Sequence, residues 1–335
     1  MKADNYKAID GKQGWLAGKL GISLATVVTF ILGVTVRGDW LLVVVNLWKQ
    51  FQPEYGRNTP FGSPENNATD LTWLERYRLQ NVQYFILLSL LISFSVFYSI
   101  GGYFQYFYYI KRREQSEEWK CQPNKFLTKE NERHEFIAGS VNMACGATIS
   151  GILACFILNG GYSTLYYSAS ERGWLYFVLS GPIYYLYIDG VSYYLHRTFH
   201  NPYLYKKIHK HHHRYHQPTA FSAVAMHPVE FFMYQAVMAL PIFTVPIHAG
   251  VFLTVLMYFY YYGMIDHSGV KMDAIWPWQP PSTFHDNHHQ YFHCNFGFNS
   301  LLFDWMFDTL RKEGRVYGED IFGGRGRSKE NDKEK

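Results

Sequence analysis

The chain has 335 residues, of which 48% are hydrophobic and 19% aromatic, with a formal net charge of +4. So many aromatic residues exclude a disordered chain. A small positive charge without a basic stripe argues against nucleic acid as a partner, and four cysteines, at 121, 145, 155 and 294, are too few for a disulfide scaffold of this size. The charge is unevenly placed: residues 111–135 hold 13 charged side chains and residues 311–335 hold 14, so the remainder is apolar enough to supply membrane spans.

In chain order, residues 20–36 form an uncharged stretch of marginal length, followed by a second apolar piece at 40–48. The start of the chain predicts no cleaved signal peptide. Residues 79–110 carry no charge and are the clearest span, since about 20 apolar residues cross a bilayer as a helix. Residues 136–170 are another uncharged run. A turn at Glu171-Arg172 separates it from 173–188, which continues through Asp189 toward Leu195. Residues 231–265 lack Asp, Glu, Lys and Arg. As one straight helix they would measure roughly 52 Å against a hydrocarbon core of about 30 Å, and Pro241 and Pro246 predict a broken or re-entrant hairpin. The competing reading is a buried helix pair of a soluble enzyme.

Lys111-Arg112-Arg113 and the basic tail place these segments on the cytosolic side. The sequon Asn67-Ala68-Thr69 then falls in a luminal loop. The expected fold class is all-α, an integral membrane helical bundle with a cytosolic histidine-rich cap. Residues 1–173 are expected to anchor, 174–311 to form the catalytic region, and 312–335 to be a disordered charged tail.

Of 15 histidines, 14 follow position 195. They form His196-x3-His200, His209-x2-His212-His213 and His285-x2-His288-His289. Spacings of i, i+3 and i+4 put each set on one face of a helix. Imidazole is the commonest metal-binding side chain, and eight at helical spacing exceed the needs of one ion, so a pair of metals is the natural count. His267, in Asp266-His267-Ser268-Gly269, is expected as a ninth ligand, and His227 is a further candidate. His134 and His248 read as structural, and His211, His216 and His293 as neighbours. Asp189, Glu230, Asp266 and Asp286 are candidates to orient ligating imidazoles from behind, Asp189 foremost because it ends an apolar run. Tyr184, Tyr185, Tyr187, Tyr193, Tyr194 and the run from Tyr258 to Tyr262 read mainly as an interfacial belt.

Asp189-x6-His196-Arg-x2-His200, Leu204-Tyr205-Lys206 with His209-Lys210-x-His212-His213, Ala225-Met226-His227-Pro228-x-Glu230, and His285-x2-His288-His289 followed by Asn295-Phe-Gly297 and Asp304 resemble the fatty acid hydroxylase and sterol desaturase superfamily. Within it, the match suggests relatives of the sterol C-5 desaturase or the C-4 methyl sterol oxidase, without settling which. The resemblance covers roughly residues 174–311. It implies a multi-pass endoplasmic-reticulum protein whose cytosolic cap holds two iron ions. It also implies molecular oxygen as co-substrate, with electrons from reduced nicotinamide cofactor through a reductase and a b-type cytochrome. The implied ligands are His196, His200, His209, His212, His213, His285, His288 and His289, with His267 matching an additional, less regular histidine. His211 and His293 stand where the superfamily usually has other residues.

An unactivated C–H bond offers ordinary acid, base or nucleophilic side chains nothing to attack, whereas a redox metal with oxygen can break it. The expected function is therefore desaturation or hydroxylation of a sterol or related lipid. A zinc-dependent membrane hydrolase and a non-catalytic metal transporter are the rival readings.

Overall fold

The computed structural model describes residues 72–329. The stretches at 20–36 and 40–48 and the sequon at Asn67 lie outside the described residues. The chain is mostly helical. Its longer elements are α1 (Val82–Phe104), which runs on as a π-helical turn Gln105–Ile110, α2 (Lys129–Leu158), α3 (Trp174–Phe199), α4 (Pro228–Ala239), α5 (Ala249–Asp266) and α6 (Ser282–Tyr291). Two small sheets add β1 (Leu165–Tyr166) parallel to β2 (Ile247–His248), and β3 (Arg315–Val316) antiparallel to β4 (Arg327–Ser328). Among the described residues, Val82–Ile110 and Lys129–Leu158 are long and apolar enough to cross a membrane.

Helix α2 begins inside the charged segment, ahead of the apolar run at 136, because the Thr128 hydroxyl accepts from Asn131 N and Glu130 and Glu132 sit in the positive first turn. It ends at Leu158, so the apolar run to 170 is not one helix; the remainder turns through Gly160 at φ +82° into β1. A stripe of small buried residues, Gly139, Gly146, Ala147 and Gly151, lets α2 approach its neighbours closely. At Gly151 any Cβ would stand 2.7 Å from the Ile86 Cα of α1. On another side, Asn142 Nδ2 donates to the carbonyls of Val224 (2.8 Å) and Met226 (2.9 Å), tying α2 to the segment that leads into α4.

The run 231–265 is broken, as its prolines predict. Pro241 opens a separate short helix Pro241–Thr244, and Pro246 precedes β2. The backbone groups freed at the break are paired from the loop after α2: Thr164 N donates to Ile242 O, and Thr164 Oγ1 donates to Val245 O at 2.7 Å. The turn expected at Glu171-Arg172 precedes α3.

One expectation is corrected. Tyr184, Tyr193 and Tyr262 are buried core residues, not belt residues, and each hydroxyl is bonded within the protein, to Met238 O, Thr309 Oγ1 and Pro280 O respectively. The described part of the tail packs against the cap. Glu319 pairs with Lys210, Phe322 packs on the His293 ring at 4.2 Å between centroids, and Gly324, at φ +87°, lies where a Cβ would meet Thr309. These contacts supply the burial that its charged composition alone does not suggest. Residues 330–335 lie outside the described residues.

Candidate metal centre

Helix α3 delivers His196 and, at its C-cap, His200. A π-turn Tyr205–His209 followed by the single turn Lys210–His213 carries the second set, α5 ends at His267, and α6 carries the third. All nine histidines are buried. Their ring nitrogens fall into two groups, within each of which the facing atoms lie inside 4.8 Å: His196, His200, His209, His213 and His288 in one, and His212, His267, His285 and His289 in the other. The sets therefore do not each serve a single face. Each i, i+4 pair stays together, whereas the i+3 member, His212 or His288, turns about one residue's rotation away and joins the other group.

The ring nitrogens that meet are Nε2: His196 to His209 at 3.1 Å, His213 to His288 at 2.9 Å, His212 to His267 at 3.2 Å and His285 to His267 at 3.0 Å. The opposite nitrogen of most rings faces an acceptor. His196 Nδ1 donates to Phe296 O (2.7 Å), His288 Nδ1 to Cys294 O (2.6 Å), His212 Nδ1 to Ala225 O (3.3 Å), and His267 Nδ1 to Gly263 O (2.7 Å) and Asp266 Oδ1 (2.5 Å). His209 Nδ1 meets Glu230 Oε1 at 2.6 Å. A carbonyl can only accept, so in their neutral form His196, His212 and His288 carry hydrogen at Nδ1 and a bare lone pair at Nε2.

Where the facing ring also carries its hydrogen at Nδ1, two lone pairs then meet at a hydrogen-bond distance with no hydrogen between them. Protonation would relieve this, but burial, reinforced by neighbouring imidazoles, holds the pKa of His212, His213, His285, His288 and His289 well below the ordinary value. A metal ion relieves it at no such cost: two nitrogens bound at about 2.1 Å stand roughly 3 Å apart. The Nε2 atoms of His200, in the first group, and of His289, in the second, are buried without a hydrogen-bond partner. The donor set thus fits one nitrogen-ligated ion per group, with imidazole suited to iron, zinc, copper or nickel.

Of the four carboxylates expected behind the imidazoles, Glu230 and Asp266 meet ring nitrogens, and the other two do not. Asp189 accepts from Asn299 N (3.0 Å) and bonds the Ser300 hydroxyl, so this buried acid holds the loop after α6 instead of a histidine. Asp286 points toward Lys120 and Gln122, and burial raises its carboxyl to about 6 against the pull of the Lys120 ammonium. His227 caps α4, accepting from Val229 N, and His211 and His216 are exposed. His134 bonds Tyr215 Oη and His248 caps α5, structural roles as expected.

Sequence reasoning missed the largest orienting device, the carbonyls of the loop after α6. Phe292 turns the chain at φ +68°, and Asn295, at φ +54°, bonds Phe284 O and Arg311 N. Cys294 O and Phe296 O thereby face back onto His288 and His196. Asp304 fixes the same loop by accepting from Phe296 N (2.9 Å), Gly297 N (2.6 Å) and Thr309 Oγ1 (2.6 Å). At Gly297 a Cβ would stand 2.8 Å from Asp304 Oδ2, which accounts for glycine there. The Asn-Phe-Gly and Asp304 pattern was the available signal.

Residues 181–309 match the family model described as fatty acid hydroxylase. The chain is 29% identical over 139 residues to a Delta(7)-sterol 5(6)-desaturase of Gibberella zeae, covering 41% of this chain and 43% of that protein. It is 30% identical to a Delta(7)-sterol 5(6)-desaturase of Schizosaccharomyces pombe, covering 45% and 50%, and 32% identical to the lathosterol oxidase of Rattus norvegicus, covering 48% and 54%. The chain spans about half the length of these curated relatives. No solved structure matches. The histidine-bearing region, residues 181–309, thus matches the fatty acid hydroxylase family, and the similarity to sterol desaturases and a lathosterol oxidase covers less than half of this chain.

Proposed function

We propose that the chain is a membrane-bound di-iron oxygenase that desaturates or hydroxylates a sterol or related lipid. The observation that carries this reading is the convergence of buried ring nitrogens into two groups, with the Nε2 atoms of His200 in one and His289 in the other left without a hydrogen-bond partner, an arrangement that one cation in each would satisfy. His196, His200, His209, His213 and His288 would hold one iron, and His212, His267, His285 and His289 the other. Bound there, the iron pair supplies the activation of dioxygen needed to take hydrogen from an unactivated C–H bond.

The chain's own residues set the rest. The carbonyls of Phe296, Cys294, Ala225 and Gly263, with Glu230 and Asp266, keep hydrogen on Nδ1 and aim Nε2 inward. Full burial of the nine rings keeps water from them. Phe298 is half-buried and packs on rings of both groups, His196 at 4.8 Å and His285 at 5.6 Å between centroids, so it forms a wall where a substrate carbon would approach.

The outward faces of the helices support membrane residence. Leu87, Leu91 and Ile92 of α1, Ile137 and Val141 of α2, and Leu175, Val178 and Ile183 of α3 are all exposed, an arrangement that lipid stabilises and water does not. The Lys111-Arg112-Arg113 cluster supports a cytosolic cap and tail, in the endoplasmic-reticulum membrane. Each turnover consumes one dioxygen, two electrons and two protons. Hydroxylation releases one water and desaturation two. The electrons would come from reduced nicotinamide cofactor through a reductase and a b-type cytochrome.

The test is expression in microsomes, with sterols and fatty lipids profiled for wild type and His288→Ala alongside oxygen consumption and metal content. Iron content with oxygen-dependent loss of a lipid, absent in the variant, is the expected result. Zinc content with anaerobic hydrolysis, or metal flux without lipid turnover, overturns it.

A further inference from the structure

His293 lies outside both groups yet is completely buried against the first. Its Nε2 meets Glu319 O at 2.7 Å, and its Nδ1 meets His200 Nδ1 at 2.8 Å. Glu319 O can only accept, so His293 carries its hydrogen on Nε2. The neutral ring then presents a lone pair at Nδ1, and the hydrogen between the two rings belongs to His200. This leaves the lone pair of His200 on Nε2, the nitrogen that is buried without a partner. A backbone carbonyl of the C-terminal segment therefore sets the tautomer of His200 through an intervening imidazole.

The other rings of the first group with a partnered Nδ1 use a carbonyl or a carboxylate directly: Phe296 O for His196, Cys294 O for His288, Glu230 for His209. His200 alone among these four relies on a second histidine. The relay is held at both ends. Phe322 covers the His293 ring, Tyr205 packs on it at 5.0 Å between centroids, and the Glu319 carboxylate pairs with Lys210, next to His209.

We propose that His293 is a positioning residue of the five-histidine group, fixing the tautomer and ring orientation of His200 and making the segment around Glu319 part of the metal centre. This rests on the two-metal reading above. It also distinguishes His293 from His211, the other histidine standing where the superfamily usually has another residue, which is exposed.

The test uses the full chain purified from microsomes as wild type, His293→Leu, His293→Gln and His211→Ala. Metal per chain and the rate of metal release to a chelator are measured, with Mössbauer spectra of iron-57-loaded protein. Leucine keeps the bulk and removes both hydrogen bonds, whereas glutamine can accept from His200 and donate to Glu319 O. Expected are release of one of the two ions about 10–100-fold faster in His293→Leu, a changed signal from that iron alone, recovery in His293→Gln, and no change in His211→Ala. If His293→Leu keeps both ions at the wild-type rate and spectrum, the inference fails while the two-metal reading stands. If the leucine variant does not accumulate, His293→Gln decides: wild-type retention supports the relay, and loss of one ion overturns it. A wild type that binds no metal overturns both readings.

Discussion

The two histidine groups are built from the same sets but supported differently. In the five-histidine group, four rings have a partner on Nδ1, and only His213 lacks one. In the four-histidine group, His212 and His267 are held from behind, while His285 and His289 have no partner there. Outer hydrogen bonds fix ring rotation and raise ligand basicity, so the difference teaches that equal ligand chemistry does not imply equal retention. The five-histidine group is the firm half of the proposed centre and the four-histidine group the yielding half.

The largest expected effect comes from removing a ligand of the firm half. His288→Ala is expected to abolish lipid turnover and to lose at least one ion per chain, measured by lipid profiling and metal analysis. Removing an orienting partner should cost less: Glu230→Ala weakens the first ion and Asp266→Ala the second by about 10–100-fold. Chelator competition on the purified variants checks this, and equal loss of both ions in either variant would break the assignment of partners to groups. Asp304→Ala releases the loop that faces both His196 and His288. It is expected to destabilise the fold by about 3 kcal/mol, read by thermal denaturation, and to loosen the five-histidine ion preferentially. In the wild type, graded chelation should empty the four-histidine group first, giving a mono-metal species whose remaining ion is bound as in the intact protein.

The acid response sharpens the same comparison. An unfolded imidazole titrates near 6.5, and the buried rings lie well below this in the folded chain. Between those values the unfolded state binds more protons, so stability rises with pH through that window. Stability is fully present above about 6.5 and is lost as pH falls toward the depressed folded values. A denaturation midpoint measured from pH 7.5 to 5 should fall with acidity. A midpoint that is flat or rises on acidification would contradict neutral buried rings.

Much of the site was legible because its chemistry is local. His196-x3-His200 lies on one continuous turn of α3, so spacing alone placed both rings together. The break in 231–265 was equally readable, since Pro241 and Pro246 act through their own backbone. Asp189 was misread for the opposite reason: its place in an apolar run demanded a buried partner but could not say that the partner was Asn299 and Ser300, 110 residues away. The buried tyrosines carry the same composition as an interfacial belt, and only the acceptors at Met238, Pro280 and Thr309 distinguish the two.

By itself, the sequence determined a mostly helical chain carrying nine histidines in a number and spacing suited to two metals, because helical periodicity and imidazole chemistry need no distant partner. Tertiary structure alone decided how those rings divide. It sent His212 and His288 across to the opposite groups and brought Cys294 O, Phe296 O and Glu319 O behind the rings. Backbone carbonyls are identical at every position, so no sequence pattern marks which of them will set a tautomer. Only the turn at Phe292 and the return of the C-terminal segment put them within hydrogen-bonding reach.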